Sequence, residues 1–355
     1  MRERTAMKSH RKSRALLLLI GSISCAGPVM AQSSVTLYGV AGNNITYTNN
    51  NGGKNGTGGL VSLNSGGLSS PRWGIRGSET LSNDLKAIFV LENGYSNDTG
   101  ALGDSTRLFN RHAYVGLSSS SYGTVVAGRT SSTMYDFILD FAPQAYSTTF
   151  EPYNSLASQR VDNAVKYTGD FGPVRIGAYR AFGEQPGGMR VNSAWGAAIA
   201  ASASNLSGTI AFDTLYGAPS AQGYTASKKL GAAVSYDFSK TSVMAGYRWG
   251  EDTSATSAVT FRDNLWWFGV RHQLYSALTL IAAYYYDDVR NQNGTNPPNP
   301  WQVAVSAIYS LSKRTDLYGS VAYAKNAGLN FTSVTNLDNK DIGQTGVALG
   351  IRHKF

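Results

Sequence analysis

The sequence predicts an all-β chain closed into a transmembrane β-barrel of sixteen antiparallel strands, with a long third loop folded into the lumen. Three observations carry that prediction. Apolar and polar residues alternate in runs of about ten, the length a tilted membrane-crossing strand needs and well above the five to six residues usual in soluble sheets. Short connections alternate with long ones, as they must when every second connection lies on the same rim of a barrel. Tyr, Trp and Phe gather near the ends of the apolar faces, where interfacial girdles sit.

The barrel begins after a leader. Residues 1–31 form a secretory signal peptide. Arg2, Arg4, Lys8, Arg11, Lys12 and Arg14 precede the apolar run Ala15–Ala26, and Val29-Met30-Ala31 supplies the small residues of a cleavage point. The barrel domain is then 32–355. The whole chain carries a net charge of +9, but the leader supplies six basic residues and one acidic. The remainder holds 25 basic against 21 acidic residues, near +4, which gives no ground for a nucleic-acid partner. Cys25, the one cysteine, lies in the leader, so the mature chain has neither disulfides nor a thiol nucleophile. No mature segment is long and apolar enough for a membrane helix. An exported strand-rich chain without disulfides is best stabilised by a closed hydrogen-bond network, which also removes every sheet edge from lipid.

Each strand rests on its own pattern. Val35–Tyr47 carries Val35, Leu37 and Ile45 on one face, and a Gly/Asn-rich loop, Asn49–Gly67, follows. Arg72–Ser78 sets Trp73 and Ile75 against Arg72, Gly74 and Arg76. Leu85–Tyr95 sets Leu85, Ala87, Phe89 and Leu91 against Lys86 and Glu92. Phe109–Ser118 and Gly123–Arg129 form the next pair. Beyond a long interruption come Arg160–Thr168 with Val174–Phe182, Ala194–Ser202 with Gly208–Tyr216, and Leu230–Phe238 with Thr241–Trp249. Leu265–His272 with Ala277–Asp287, Trp301–Leu311 with Asp316–Lys325, and the closing Ile342–Phe355 complete the set. The inner faces hold small and charged residues that a water-filled lumen can satisfy and a dry core cannot. They show no ladder of aromatic residues.

The interruption is Thr130–Gln159, about thirty residues without strand alternation, rich in Tyr, Phe, Ser and Thr. A connection this long in a compact domain is usually functional. Folded into the lumen it narrows the pore, and its only charges are Asp136, Asp140 and Glu151. Arginines stand around it. Arg72 and Arg76 share the polar face of one strand, Arg111 begins another, Arg129 leads into the loop and Arg160 leads out. A guanidinium stays charged at every relevant pH, so arginines facing acidic residues across a lumen create a transverse field, and charged rings of this kind set ion preference. A catalytic reading finds little support. The histidines after the leader, His112, His272 and His353, have neither metal-ligand spacing nor an evident carboxylate and hydroxyl partner. No phosphate-binding loop, nucleophile elbow or dinucleotide fingerprint occurs. No cofactor is implied.

Several stretches together resemble one family over essentially the whole mature chain. They are Ser34–Gly39 (SVTLYG), Arg72–Thr80 (RWGIRGSET), Leu85–Glu92 (LKAIFVLE), Asn110–Leu117 (NRHAYVGL), Tyr122–Arg129 (YGTVVAGR), Asp162–Tyr167 (DNAVKY) and Gly350–Phe355 (GIRHKF). The chain resembles the trimeric general porins of Gram-negative bacteria, most closely the beta-proteobacterial branch. That resemblance implies an outer-membrane homotrimer surrounded by lipid and lipopolysaccharide. It implies passive diffusion of small hydrophilic solutes and ions, and a terminal aromatic, Phe355, recognised by the barrel-assembly machinery. It also implies a constriction with a basic wall of Arg72, Arg111 and Arg160, flanked by Arg76 and Arg129. Asp140, Asp136 and Glu151 stand on the acidic side. Candidate wall arginines outnumber loop carboxylates, which suggests a weak anion preference. A substrate-selective channel is the alternative within the same architecture.

Overall fold

A computed structural model of the chain describes residues 33–51, 58–144, 147, 149–157, 160–186, 188–332 and 343–355. The expected signal peptide, 1–31, lies outside them. Among the described residues seventeen strands form one antiparallel sheet. They are β1 (Ser33–Thr48), β2 (Leu60–Ser65), β3 (Arg72–Thr80), β4 (Leu85–Gly94), β5 (His112–Ser119), β6 (Gly123–Ser131), β7 (Arg160–Phe171), β8 (Val174–Ala181), β9 (Ala194–Ala203), β10 (Leu206–Tyr216), β11 (Ala226–Phe238), β12 (Thr241–Thr253), β13 (Val259–Tyr275), β14 (Leu278–Gln292), β15 (Trp301–Ser310), β16 (Thr315–Lys325) and β17 (Gly343–Lys354). From β3 onward each strand pairs with the next, and β17 closes on β1 from Val40↔Lys354 to Thr48↔Gly346. Phe355 and Gly39 exchange two backbone bonds of 3.1 Å at the seam. The Phe355 ring lies over Gly39 so closely that a Cβ there would sit 2.3 Å from it.

The extra strand is β2, which lies within the segment expected to be a loop. It pairs with Asn43–Thr48 while β3 pairs with Ser33–Val40 of the same strand. The two therefore share one stave, and the barrel has the sixteen staves predicted. Leu60, Val61 and Leu63 belong to β2, but their flanking Gly and Asn mask so short an apolar run. β11, β13 and β14 also run beyond the expected limits at the long-loop rim. There both faces carry polar residues, such as Lys228-Lys229, Arg262-Asp263 and Asp287-Asp288. A strand standing in water on both sides leaves no hydrophobic alternation to read.

Register fixes the two faces. Val35 (69% exposed), Leu37, Val115, Leu117, Ile210, Val305 and Leu349 point outward into an apolar belt. The aromatic girdle is real. Tyr236 packs on Phe238 at 4.4 Å, Tyr247 on Trp266 at 4.4 Å and Trp301 on Tyr323 at 5.4 Å, all facing out. His353 and His272 also face outward at strand ends, bonded to Thr315 and Thr241 hydroxyls at 2.9 and 2.8 Å.

The third loop enters the barrel. It is not structureless, for Ser132 caps a short helix, α1 (Thr133–Ile138), by accepting the Tyr135 amide at 3.1 Å. A single tight turn, Leu139–Phe141, and a second short helix, α2 (Tyr153–Leu156), follow. Met134, Phe137, Ile138 and Leu139 are essentially fully buried against the inner wall. That wall offers small residues as a seat. A Cβ on Gly177 would lie 2.7 Å from the Phe137 ring, and one on Gly231 would lie 2.8 Å from Ile138 Cδ1. Ala198, Ala200, Ala211 and Ala233 complete the seat. The last long loop adds Ala327, Leu329 and Phe331 to the same interior. One side of the barrel is thus a dry core, so only part of the inner face borders the water-filled lumen expected from its small and charged residues. Its inward aromatics Tyr179, Trp267, Tyr285 and Tyr318 are covered rather than lining an open path.

Candidate functional site

Polar pins hold the third loop across the barrel. Asp213 of β10 accepts the Thr133 hydroxyl at 2.7 Å and the Met134 amide at 3.4 Å. Trp267 donates its indole N–H to Phe141 O at 3.0 Å, and Arg271 donates to Pro143 O at 3.0 Å. On the far wall Gln302 donates to Phe150 O at 3.0 Å, and Ser306 to Gln144 Oε1 at 3.0 Å. Because these donors and acceptors come from strands across half the barrel, the loop is fixed as a partition, leaving the β1–β8 wall opposite it.

That wall carries the arginines. Register places Arg72 opposite Gly94 and Gly74 opposite Glu92, so Arg72, Arg76 and Glu92 all face inward. Glu92, 5% exposed, sits between the bases. Its carboxylate takes Arg111 Nε at 2.6 Å and the Tyr38 hydroxyl at 2.9 Å, with Arg72 Nε 3.6 Å away. Two guanidinium groups therefore share one buried carboxylate. Arg160 lays its guanidinium over the Tyr135 ring of α1, 5.2 Å from the centroid, so it joins wall to loop. Arg76, exposed, stacks over Tyr38 at 5.2 Å. Arg129 donates to Asn110 O at 2.8 Å and forms an ion pair with Asp162, which also receives Arg107 at 2.9 Å. A polar cavity of 310 Å³ brings Arg111, Arg129 and Arg160 together with Asp104. Thr106 holds the Asp104 carboxyl below the usual carboxylate range through hydroxyl and amide bonds, so this loop acid stays ionised.

The loop carboxylates have their own partners. Asp136 is paired with the buried Lys166 of β7 and accepts the Ser131 hydroxyl at 2.6 Å. Asp140 meets Arg175 at 3.3 Å, and that guanidinium covers the Phe137 ring at 4.6 Å. Glu151 is fully buried, taking the Gln144 amide at 2.9 Å and the Tyr285 hydroxyl at 3.0 Å. Glu151 is expected among the acidic residues facing the pore. Its place is under the loop, where it serves as a pin, because the loop tip is pressed against β14.

Glu92, Tyr38, Lys166 and Arg175 were not among the predicted site residues. The parity of β4 puts Glu92 on the inner face, but only the register between β3, β4 and the segment before β5 places it between two arginines. Among the described residues no group of three or more His, Cys, Asp and Glu side chains could hold a metal ion.

A closed sixteen-stave barrel with apolar belts, an inserted loop and a charged inner wall is the architecture of a bacterial outer-membrane channel. A profile for Gram-negative porins matches residues 15–329, and the chain belongs to that family. It is 26% identical to an outer membrane porin protein of Bordetella pertussis, covering 93% of this chain and 96% of the relative. It is 28% identical to outer membrane porin protein 32 of Delftia acidovorans, covering 96% and 99%. Among solved structures, an anion-selective porin from Comamonas acidovorans aligns with a TM-score of 0.78 at 24% identity, covering 91% of this chain and all of that one. OmpT of Vibrio cholerae aligns at 0.67 with 13% identity, covering 91% and 98%. The protein resides in the outer membrane and provides a channel for passive diffusion of small solutes.

Proposed function

We propose that the channel is a homotrimer with a weak preference for anions, set by the β1–β8 wall. The observation that carries this reading is the sharing of Glu92 by Arg72 and Arg111, which leaves positive charge in excess where the loop narrows the lumen. Exposed Arg76 adds to it, while Asp136 and Asp140 are each opposed by a wall base, Lys166 and Arg175. Fixed charge of one sign in a constriction raises the local concentration of the opposite ion. The arginines Arg72, Arg76, Arg111, Arg129 and Arg160 form the basic wall in this proposal, and Asp136 and Asp140 temper it.

Residues 1–31 act as a cleaved export signal, and Phe355 serves as the terminal aromatic read during barrel assembly. The outward belt meets lipid and lipopolysaccharide. The chain acts as a channel and not as an enzyme. Detergent-purified mature protein in a planar bilayer tests the reading. Conductance rising in groups of three steps, with a zero-current potential of anion sign across a salt gradient, is expected. Single steps refute the trimer, and a cation-sign potential refutes the wall.

A further inference from the structure

A second polar cavity lies on the opposite side of the barrel, between β11–β14, α2 and the last long loop. It encloses 430 Å³ and is lined by Lys229, Arg248, Asp252, Asp263, Asp287 and Phe331, among others. That volume is within the range of small-ligand sites. Its charges are only partly matched. Arg248 and Asp263 make a two-pronged pair, with Nη2 2.8 Å from Oδ2, and both are about 2% exposed or less. This pair leaves Arg248 Nε buried without a hydrogen-bond partner among the described residues. Asp287, 2% exposed, is in hydrogen-bonding contact with the Asp263 carboxyl, and among the described residues no donor reaches its buried Oδ1. Lys229 has three N–H donors and makes one long bond, 3.3 Å to Asn154 O, with no carboxylate within ion-pair distance among the described residues. Glu251 at the rim is neutralised by Arg262 at 2.6 Å, whereas Asp252 stands beside the cavity without such a pair among the described residues.

A buried polar atom left unpaired costs free energy, and here the unmet groups are of two kinds. Lys229 Nζ and Arg248 Nε are donors that call for an anionic acceptor. Asp287 and Asp252 are acceptors that call for N–H groups. We propose that this cavity binds small zwitterions bearing a carboxylate and a primary ammonium, the α-amino acid class. Lys229 and Arg248 receive the carboxylate, while Asp287 and Asp252 receive the ammonium. The site is separate from the arginine wall and acts on the solute before it reaches the constriction. Its mouth is wet, so binding is weak, with a dissociation constant on the order of 1 mM.

Calorimetric titration of the detergent-purified protein with L-alanine, propionate and ethylamine tests this. L-alanine is expected to bind saturably, and each half-ligand roughly tenfold or more weaker, the loss of one charge-assisted bond. Asp287→Asn and Lys229→Met should each weaken L-alanine by a similar factor while single-channel conductance and heat-modifiable mobility are kept. Asp252→Asn, at the rim, is the variant to use if Asp287→Asn fails to fold, and it should weaken binding in the same direction. Equal binding of ethylamine or propionate and L-alanine would overturn the zwitterion assignment in favour of a bare charge site. No saturable binding to folded protein, or unaltered binding by the variants, would overturn the site itself.

Discussion

Replacing Glu92 with Gln isolates the charge of the wall from its shape. Gln keeps the side-chain length and an acceptor for the Tyr38 hydroxyl, which now sits 2.9 Å from the carboxylate. It removes the negative charge that Arg111 at 2.6 Å and Arg72 at 3.6 Å share. For an ion passing at ~10 Å, a unit charge in water is worth ~0.4 kcal/mol, and the loss attracts anions and disfavours cations by about twofold each. Unscreened, these two factors change the anion-to-cation permeability ratio about fourfold; at ~10 mM salt, where the screening length is ~30 Å, the rise should be roughly threefold. The change should shrink toward nothing at ~1 M, where that length is ~3 Å. The zero-current potential across a fixed salt ratio, measured at both ends of this range, is the assay. A potential that does not move at low salt, or moves toward cations, would refute the placement of Glu92 beside the ion path.

Other outcomes follow from the loop and the turns. Replacing Asp136 and Asp140 together with Asn should push preference further toward anions, since Lys166 and Arg175 lose their opposing charges; an unchanged zero-current potential would mean that neither carboxylate senses the ion path. Asp213→Ala strips the Thr133 hydroxyl and Met134 amide of their acceptor, costing the loop anchorage ~1–3 kcal/mol; single-channel traces should become noisier while the barrel keeps its heat-modifiable mobility, and parent-like noise would count against the pin. Asp84 in a short turn accepts the Ser119 hydroxyl at 2.6 Å and the Ser120 amide at 2.9 Å, which hold its carboxyl well below the ordinary range. A carboxyl depressed by folding stabilises the fold above its unfolded pKa of about 4, and that stabilisation is lost as pH falls toward the folded value. Asp84→Asn should accordingly lower the melting temperature at neutral pH, with the gap narrowing only in acid; a gap independent of pH would show that the turn does not depend on the charge.

Much of the barrel was legible because a strand crossing lipid has one face that must be apolar. Trp301, Val303 and Val305 against Gln302, Ala304 and Ser306 show their register in sequence alone. Legibility ended where that constraint ended. β2 is too short and too closely flanked by Gly and Asn, and the outer ends of β13 and β14 are wet on both faces. The site divides similarly. The arginines could be placed at strand ends next to the long loop, and the structure brings Arg111, Arg129 and Arg160 to one cavity, with Arg72 joined to Arg111 through Glu92. What each charge meets depends on pairings between distant segments. No local pattern shows that Lys166 takes Asp136, that Arg175 takes Asp140, or that Glu151 turns under the loop to Tyr285. The small residues of the loop's seat, Gly177, Gly231 and Ala211, were visible on the inner face, but without the loop above them they read as lining a wet lumen.

In the proposed function the arginine wall sets the ion preference of an open diffusion channel. Its most direct test is the zero-current potential of the Arg72→Gln, Arg111→Gln, Arg160→Gln triple variant beside the parent at low salt. Single-channel conductance in the same bilayers establishes that both are open. A shift toward cations is expected in the variant, with conductance retained. An open variant with the parent's potential would contradict it, and the preference would then have to arise elsewhere in the barrel.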